Sequence, residues 1–211
     1  MNAITRLAPS ITTMIRLDHT HAMTLFHRFK ADTSPDRKRA LVRNACLAIE
    51  IHAQLEDEIF YPALRSVLAG NEVLDKSEPE HERMRQLIRE LRDQVSAGDG
   101  ASESAGTTFD DKFMDLMRLV IHHVADEETQ LLPAAERLLA DRLGDLGVEM
   151  TRRRIELLKP HAGELAATTV RSFPVGAVAG AALLTAGAVA VGAMLFSRGS
   201  TATHGRRPSR W

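Results

Sequence analysis

The chain has a single cysteine, Cys46, in 211 residues. A lone thiol excludes an intrachain disulfide framework and a thiolate-rich metal site, so any metal must be held by nitrogen and oxygen. Aromatic residues make up only 4% of the chain and turn formers are sparse, whereas Leu, Ala, Glu and Arg dominate its first two thirds. That balance predicts an all-α domain. Neither sign of charge prevails: Lys+Arg 27 against Asp+Glu 28 gives a formal net charge of -1, which supplies no field to attract nucleic acid, and no nucleic-acid partner is expected. Met1 to Ser10 carries Arg6 and Pro9 and lacks the continuous apolar core of a secretory signal, so export by that route is not expected. A Ser/His/Asp triad pattern, a phosphate-binding glycine loop and a nucleotide motif are likewise missing. The length allows one domain with a sizeable core plus an appendage.

What is present is helical periodicity. Four long segments carry it, at about Ile11–Lys30, Pro35–Leu68, Glu78–Val95 and Thr108–Leu139. Ser34 before Pro35, and Ser77 three residues before Glu80, read as start signals for the second and third. The stretch from Ser96 to Thr107 is small, polar and glycine-rich, and reads as a flexible connection. The bundle is thus expected over residues 11–140, with an accessory helix at about Leu146–Leu158 and a polar linker within 141–174. Met14, Met84, Met114 and Met117 read as gap-filling core and Cys46 as a small buried hydrophobe. The triplet Arg152-Arg153-Arg154 reads as a solvated face, with anionic lipid headgroups as the other reading.

The chemistry lies in a device that occurs twice. His52-Ala-Gln-Leu-Glu56 and His123-Val-Ala-Asp-Glu127 each pair an imidazole with a carboxylate four residues on, and each is followed by a proline six residues past the glutamate, Pro62 and Pro133. Positions i and i+4 share a helix face, so each pair aims both groups at one point. Two such helices facing each other supply two nitrogens and two carboxylates to one cavity, and carboxylates that can bridge favour two metals over one. His19 and His81 sit in plausible places on the other two helices. Imidazole and carboxylate together suit iron, manganese or zinc, and iron leads because open positions on a nitrogen/oxygen site suit dioxygen chemistry. His122 with Asp126 one turn on forms a competing register, while His21, His27, His161 and His204 read as surface or hydrogen-bonded residues.

The blocks Asp18-His19, HAQLEDEIFYPAL at His52–Leu64, EHERMRQLI at Glu80–Ile88 and IHHVADEETQLLP at Ile121–Pro133 resemble the hemerythrin HHE cation-binding domains. The resemblance covers about Met14 to Leu139 and implies a hemerythrin-like up-down four-helix bundle. By that resemblance the metal ligands are His19, His52, Glu56, His81, His123 and Glu127, with the glutamates bridging two iron ions, a non-haem di-iron centre. Manganese or zinc is the less favoured occupant. The oxygen-carrying members place a second histidine four residues after the one matched by His81, and here that position is Arg85. A nitrogen ligand is therefore missing on one iron, with water, Glu128 or Asp126 to take its place. The expected function is binding or sensing of dioxygen or a related small oxidant rather than catalysis. A di-iron oxidase or peroxide-consuming enzyme is the alternative, and iron storage or a structural metal role the third reading.

From Val175 to Phe196 no residue is charged, about the length a helix needs to cross a hydrocarbon core. The segment 175–196 reads as a membrane-spanning helix, with 197–211 as a basic tail. A helix packed on the bundle or on a second copy is the other reading, and Gly176 and Gly180 would bring two copies together as a homodimer. Lys159 and Arg171 precede the span, and Arg198, Arg206, Arg207 and Arg210 follow it, which mildly favours a cytoplasmic tail. Carrying the whole bundle across without a signal is the harder event, so the expectation is a cytoplasmic bundle on a single-pass C-terminal anchor.

Overall fold

A computed structural model of the chain describes residues 9–97 and 108–163, and among them the regular structure is all helix, with no strand. Helix α1 spans Ile11–Arg28, and Ser10 caps it by accepting a hydrogen bond from the Thr13 backbone N–H. Helix α2 spans Pro35–Leu55 and runs through a π-turn, Glu56–Phe60, into α3, Tyr61–Arg65. Helix α4 spans Glu72–Ala97. Helix α5 spans Phe109–Asp126 and runs through a second π-turn, Glu127–Leu131, into α6, Leu132–Leu138. A reciprocal capping box between Thr108 and Asp111 starts α5. Helix α7, Leu143–Leu158, follows.

Two apolar clusters give the topology. One joins the start of α1 (Ile11, Ile15) to the end of the second arm (Leu55, Leu64), the start of α4 (Leu74) and the end of the fourth arm (Leu132, Leu139). The other joins the end of α1 (Phe26), the start of α2 (Leu41), the middle of α4 (Ile88) and the start of α5 (Phe113, Leu116). Starts meeting ends in alternation is an up-and-down bundle, with a core at each end and the polar candidates between them. Helix α7 adds a fifth element packed on α1, α2 and the first π-turn, and seats Leu146 and Met150 in the first cluster. Met14, Met84 and Cys46 are core, but Met114 is 42% exposed and fills no gap.

The third helix starts six residues earlier than its sequence signals predict. Ser77 does not cap it: its hydroxyl donates back to the Val73 carbonyl within the helix, and Pro79 lies inside it. The cap is Asn71, whose side-chain oxygen accepts from the Leu74 N–H. Gly70, at φ 64, turns the chain into it. Burying Val73 and Leu74 outweighs the hydrogen bond that Pro79 cannot make.

Both π-turns lie just before the repeated proline. A proline ring clashes with the carbonyl four residues back, and an i to i+5 turn relieves the clash by widening the helix just before it. The Tyr61 N–H accordingly bonds the Glu56 carbonyl, and the Leu132 N–H that of Glu127. Each wide turn begins at a glutamate of the repeated device.

No helix among the described residues is long and apolar enough to cross a membrane. The expected span at 175–196, and with it Gly176 and Gly180, lies outside the described residues, as do His204 and the basic tail.

Candidate metal centre

All six predicted ligands converge between the two apolar clusters. His81, Glu56 and Glu127 have no solvent exposure, and His123 and His19 have 2% and 4%. One group of donors, from His19, His52, Glu56 and Glu127, lies within 4.8 Å, and a second, from Glu56, His81 and His123, does the same. Glu56 belongs to both. Glu127 reaches from His19 Nε2 at 3.1 Å to His123 Nε2 at 3.5 Å, so the two glutamates span two adjacent positions.

The histidines are aimed from outside. Each Nδ1 faces a carboxylate: His19 that of Glu128 at 2.8 Å, His52 that of Asp18 at 3.3 Å, His81 that of Asp57 at 2.8 Å, and His123 that of Glu80 at 2.8 Å. An Nδ1–H donated outward leaves the Nε2 lone pair directed inward, the tautomer a metal requires. Inside, His81 Nε2 and His123 Nε2 stand 3.0 Å apart. His52 Nε2 and Glu56 Oε1 are buried with no hydrogen-bond partner. Two orphaned donors at one centre, in a set of imidazoles and carboxylates, fit metal cations that would take up their lone pairs.

Arg85 stands where the oxygen carriers have a histidine, and it does not reach the centre. Its guanidinium pairs with Asp57, behind His81. Neither carboxylate considered for the vacancy fills it: Glu128 binds the outer nitrogen of His19 and Arg16, and Asp126 pairs with Lys76. Tyr61 is the residue sequence reasoning missed. Its buried hydroxyl donates to Glu127 Oε1 at 2.8 Å and stands 3.4 Å from each of His81 Nε2, His123 Nε2 and Glu56 Oε2. Five residues past Glu56 would lie about 140° around an ordinary α-helix, and the π-turn takes up most of that angle. Aligning the two blocks sets Tyr61 opposite Leu132, a polar oxygen in one copy only, which marks the residue without placing its hydroxyl.

The charges of the metal-free centre are set by burial against pairing. Burial opposes the charged form of His52, but Glu56 and Asp18 outweigh it and raise its pKa to about 9. Burial likewise opposes His123, and Glu127, Glu56 and Glu80 raise it to about 10. Glu127, which burial alone would push up, is held down at about 2 by His123 and His19. Burial and the two glutamates push the Tyr61 phenol well above its ordinary value. His122 is exposed, so the competing register with Asp126 does not form, and His21 and His27 are also exposed. An open surface groove of about 510 Å³, lined by His19, Thr20, Met23, Val124 and Glu128, among others, runs along the outer side of His19.

Comparison with known proteins agrees with this geometry. Residues 10–135 match the model of the hemerythrin HHE cation-binding domain. The chain is 24% identical over 131 residues to a DNA nickase of Nostoc sp. (strain PCC 7120), which covers 62% of this chain and 35% of that protein. The chain thus spans about a third of that relative's length. No solved structure matches significantly. With the family match over more than half its length and the inward-facing histidines and glutamates in the described bundle, the chain belongs to the hemerythrin HHE cation-binding domain family.

Proposed function

We propose that this domain holds two metal ions, iron foremost, on His19, His52, Glu56, His81, His123 and Glu127, and that the pair binds a small oxidant such as dioxygen. The observation that carries the reading is the outward lock on all four histidines together with the buried Glu56 Oε1, which has no hydrogen-bond partner, and His52 Nε2, which faces only the Glu56 carboxylate at 3.2 Å. When bound, ferrous ions supply electrons that the protein groups here cannot. The chain's own residues orient the imidazoles, exclude bulk water through the two apolar clusters, and hold a proton on Tyr61 Oη directed at Glu127. The test is optical. Reduced, iron-loaded protein should develop an absorption on adding oxygen that is lost on removing it, and a protein that takes up iron but shows no oxygen-dependent spectrum contradicts the oxidant reading.

Tyr61 favours a second reading, a di-iron oxidase or peroxide-consuming enzyme. Its oxygen stands 3.4 Å from the Nε2 of each histidine of the second group, close enough to add an oxygen donor there. As a phenolate it would complete that ion's protein ligands. Tyr61→Phe should then abolish a visible tyrosinate-to-iron(III) band and weaken one of the two ions by roughly tenfold or more. An unchanged spectrum would show that the phenol stays protonated beside the ion. Steady consumption of oxygen or peroxide with a reductant separates the enzyme from the binding module.

The membrane anchor rests on the uncharged run at 175–196 and is part of the same proposal. A chain ending near Thr169 should stay soluble and keep its metal, whereas the full chain should follow the membrane fraction and resist carbonate extraction. A full chain that is freely soluble would show the run to be a packing helix instead.

A further inference from the structure

Helix α7 lies outside the four arms of the bundle, yet two of its arginines reach elements that carry candidate ligands. Arg154 grips Asp18 with both prongs, Nη1 to Oδ1 and Nη2 to Oδ2, each at 2.6 Å. Asp18 is the residue before His19, and its Oδ2 faces the Nδ1 of His52. Arg153 grips Glu58 in the same two-pronged way, at 2.6 and 2.9 Å, and Glu58 sits in the π-turn two residues past Glu56. The triplet that reads as a solvated face in sequence is thus divided: Arg152 is exposed, while Arg153 and Arg154 turn to the bundle.

The Arg154 grip falls on the first ligand group, and the Arg153 grip lies beside Glu56, which the two groups share. His19, His52 and Glu56 are adjacent to Asp18, bonded to it, or within two residues of Glu58, whereas the carboxylates behind His81 and His123 are Asp57, which Arg85 holds, and Glu80 of α4. The seat of α7 is also specific. A Cβ on Gly147 would stand 2.1 Å from the Pro9 carbonyl oxygen, Met150 is fully buried, and the Thr151 hydroxyl, which donates to the Gly147 carbonyl, lies 3.3 Å from the Met14 sulfur. The Arg154 Nε is buried without a partner, so its guanidinium is tied down through Asp18.

We propose that Arg154 is a positioning residue for the first metal position: through Asp18 it fixes the ring of His52, so that docking of α7 and filling of that position depend on each other. The proposal rests on the metal-binding reading above. Residues that orient a metal-ligating histidine change metal affinity by about 10–100-fold when removed. Coupling between two equilibria is reciprocal, so loading the metal holds α7 down by the same factor by which docked α7 tightens the metal. Arg153 strengthens the docking from the Glu58 side and touches no ligand.

The experiment titrates the full chain with zinc alone and follows amide exchange of α7 in metal-free and loaded protein. His52→Ala identifies the titration step that belongs to the first position. In Arg154→Gln that step should weaken by about 10–100-fold while the other stays within twofold, and the protection α7 gains on loading in the parent should disappear. Arg154→Lys, which keeps the charge and loses the fork, should recover part of both effects. Asp18→Asn combined with Arg154→Gln should cost no more than the larger single change, because both act on one ring. Arg152→Gln should change nothing. A first step within twofold of the parent in a folded Arg154→Gln or Arg154→Lys protein, or equal α7 protection with and without zinc in the parent, overturns the proposal. A parent that binds no zinc and no iron overturns the metal reading instead, so the two failures are distinct.

Discussion

Replacing Glu56 and Glu127 together by alanine should take the chain from two bound metal ions to fewer than one. Both carboxylates are fully buried and stand between the two ligand groups, Glu56 as a member of each and Glu127 within 3.5 Å of a histidine from each. Without them the histidines remain as two imidazole pairs, too few donors for a tight nitrogen/oxygen site. Either single change should leave one ion or fewer. The loss should also appear in stability, since metal at a hundredfold excess over its Kd contributes about 2.7 kcal/mol per site. For a domain of this size that is a Tm gain of roughly 5–10 °C per ion, seen in the parent and missing from the double variant. Glu→Gln changes at the same positions keep shape and remove charge, and they separate loss of coordination from loss of packing. Two ions fully retained by the double alanine variant, counted by metal analysis after dialysis, would contradict the bridging role.

The second large effect is in pH. An isolated imidazole would give up a bound metal as pH falls through about 6.5. His52 and His123 are raised to about 9 and about 10, so in the metal-free protein they still hold protons at neutral pH that a metal must displace. Raised values mean that the charged histidines stabilise the metal-free fold fully below about 6.5 and that this contribution is lost as pH rises through about 9 to 10. Glu127, depressed to about 2, contributes above its ordinary value near 4.5 and loses that contribution as pH falls toward about 2. The metal-free protein should therefore be most stable between about pH 4.5 and 6.5. Loading works the other way: each displaced proton weakens binding by roughly tenfold per unit below the pKa. The Tm gain on loading should be small near pH 5.5 and largest near pH 9. Thermal melts of metal-free and loaded protein across that range check both curves, and a loading gain that is flat from pH 5.5 to 9 would show that no proton leaves the centre.

The centre was legible in sequence where its logic is local. His52 to Glu56 and His123 to Glu127 are one helical turn each, and the repeated proline marked them as one device. Tyr61 was hidden because its place depends on the π-turn before Pro62, and an aromatic residue in an apolar block otherwise reads as core. The start of α4 was misplaced because Ser77 and Glu80 imitate a capping box, while the decisive facts, the Asn71 cap and the burial of Val73 and Leu74, are set by packing. Arg153 and Arg154 were unreadable for a different reason. Their carboxylates lie 95 and 136 residues away along the chain, and only the course of α7 across α1 and the first π-turn brings them together. Glu128 belongs with them: next to Glu127 it reads as a spare metal donor, and in the fold it holds the outer nitrogen of His19.

Two metal ions on one buried set of donors are what the shared glutamates imply. The most direct measurement is the metal content of the full chain purified without oxygen, joined to a magnetic or Mössbauer test of whether the ions interact. Two ions per chain, mostly iron and magnetically coupled through the shared Glu56 and Glu127, is the expected result. One ion per chain after reconstitution with excess iron, or two that behave as isolated centres, would contradict it.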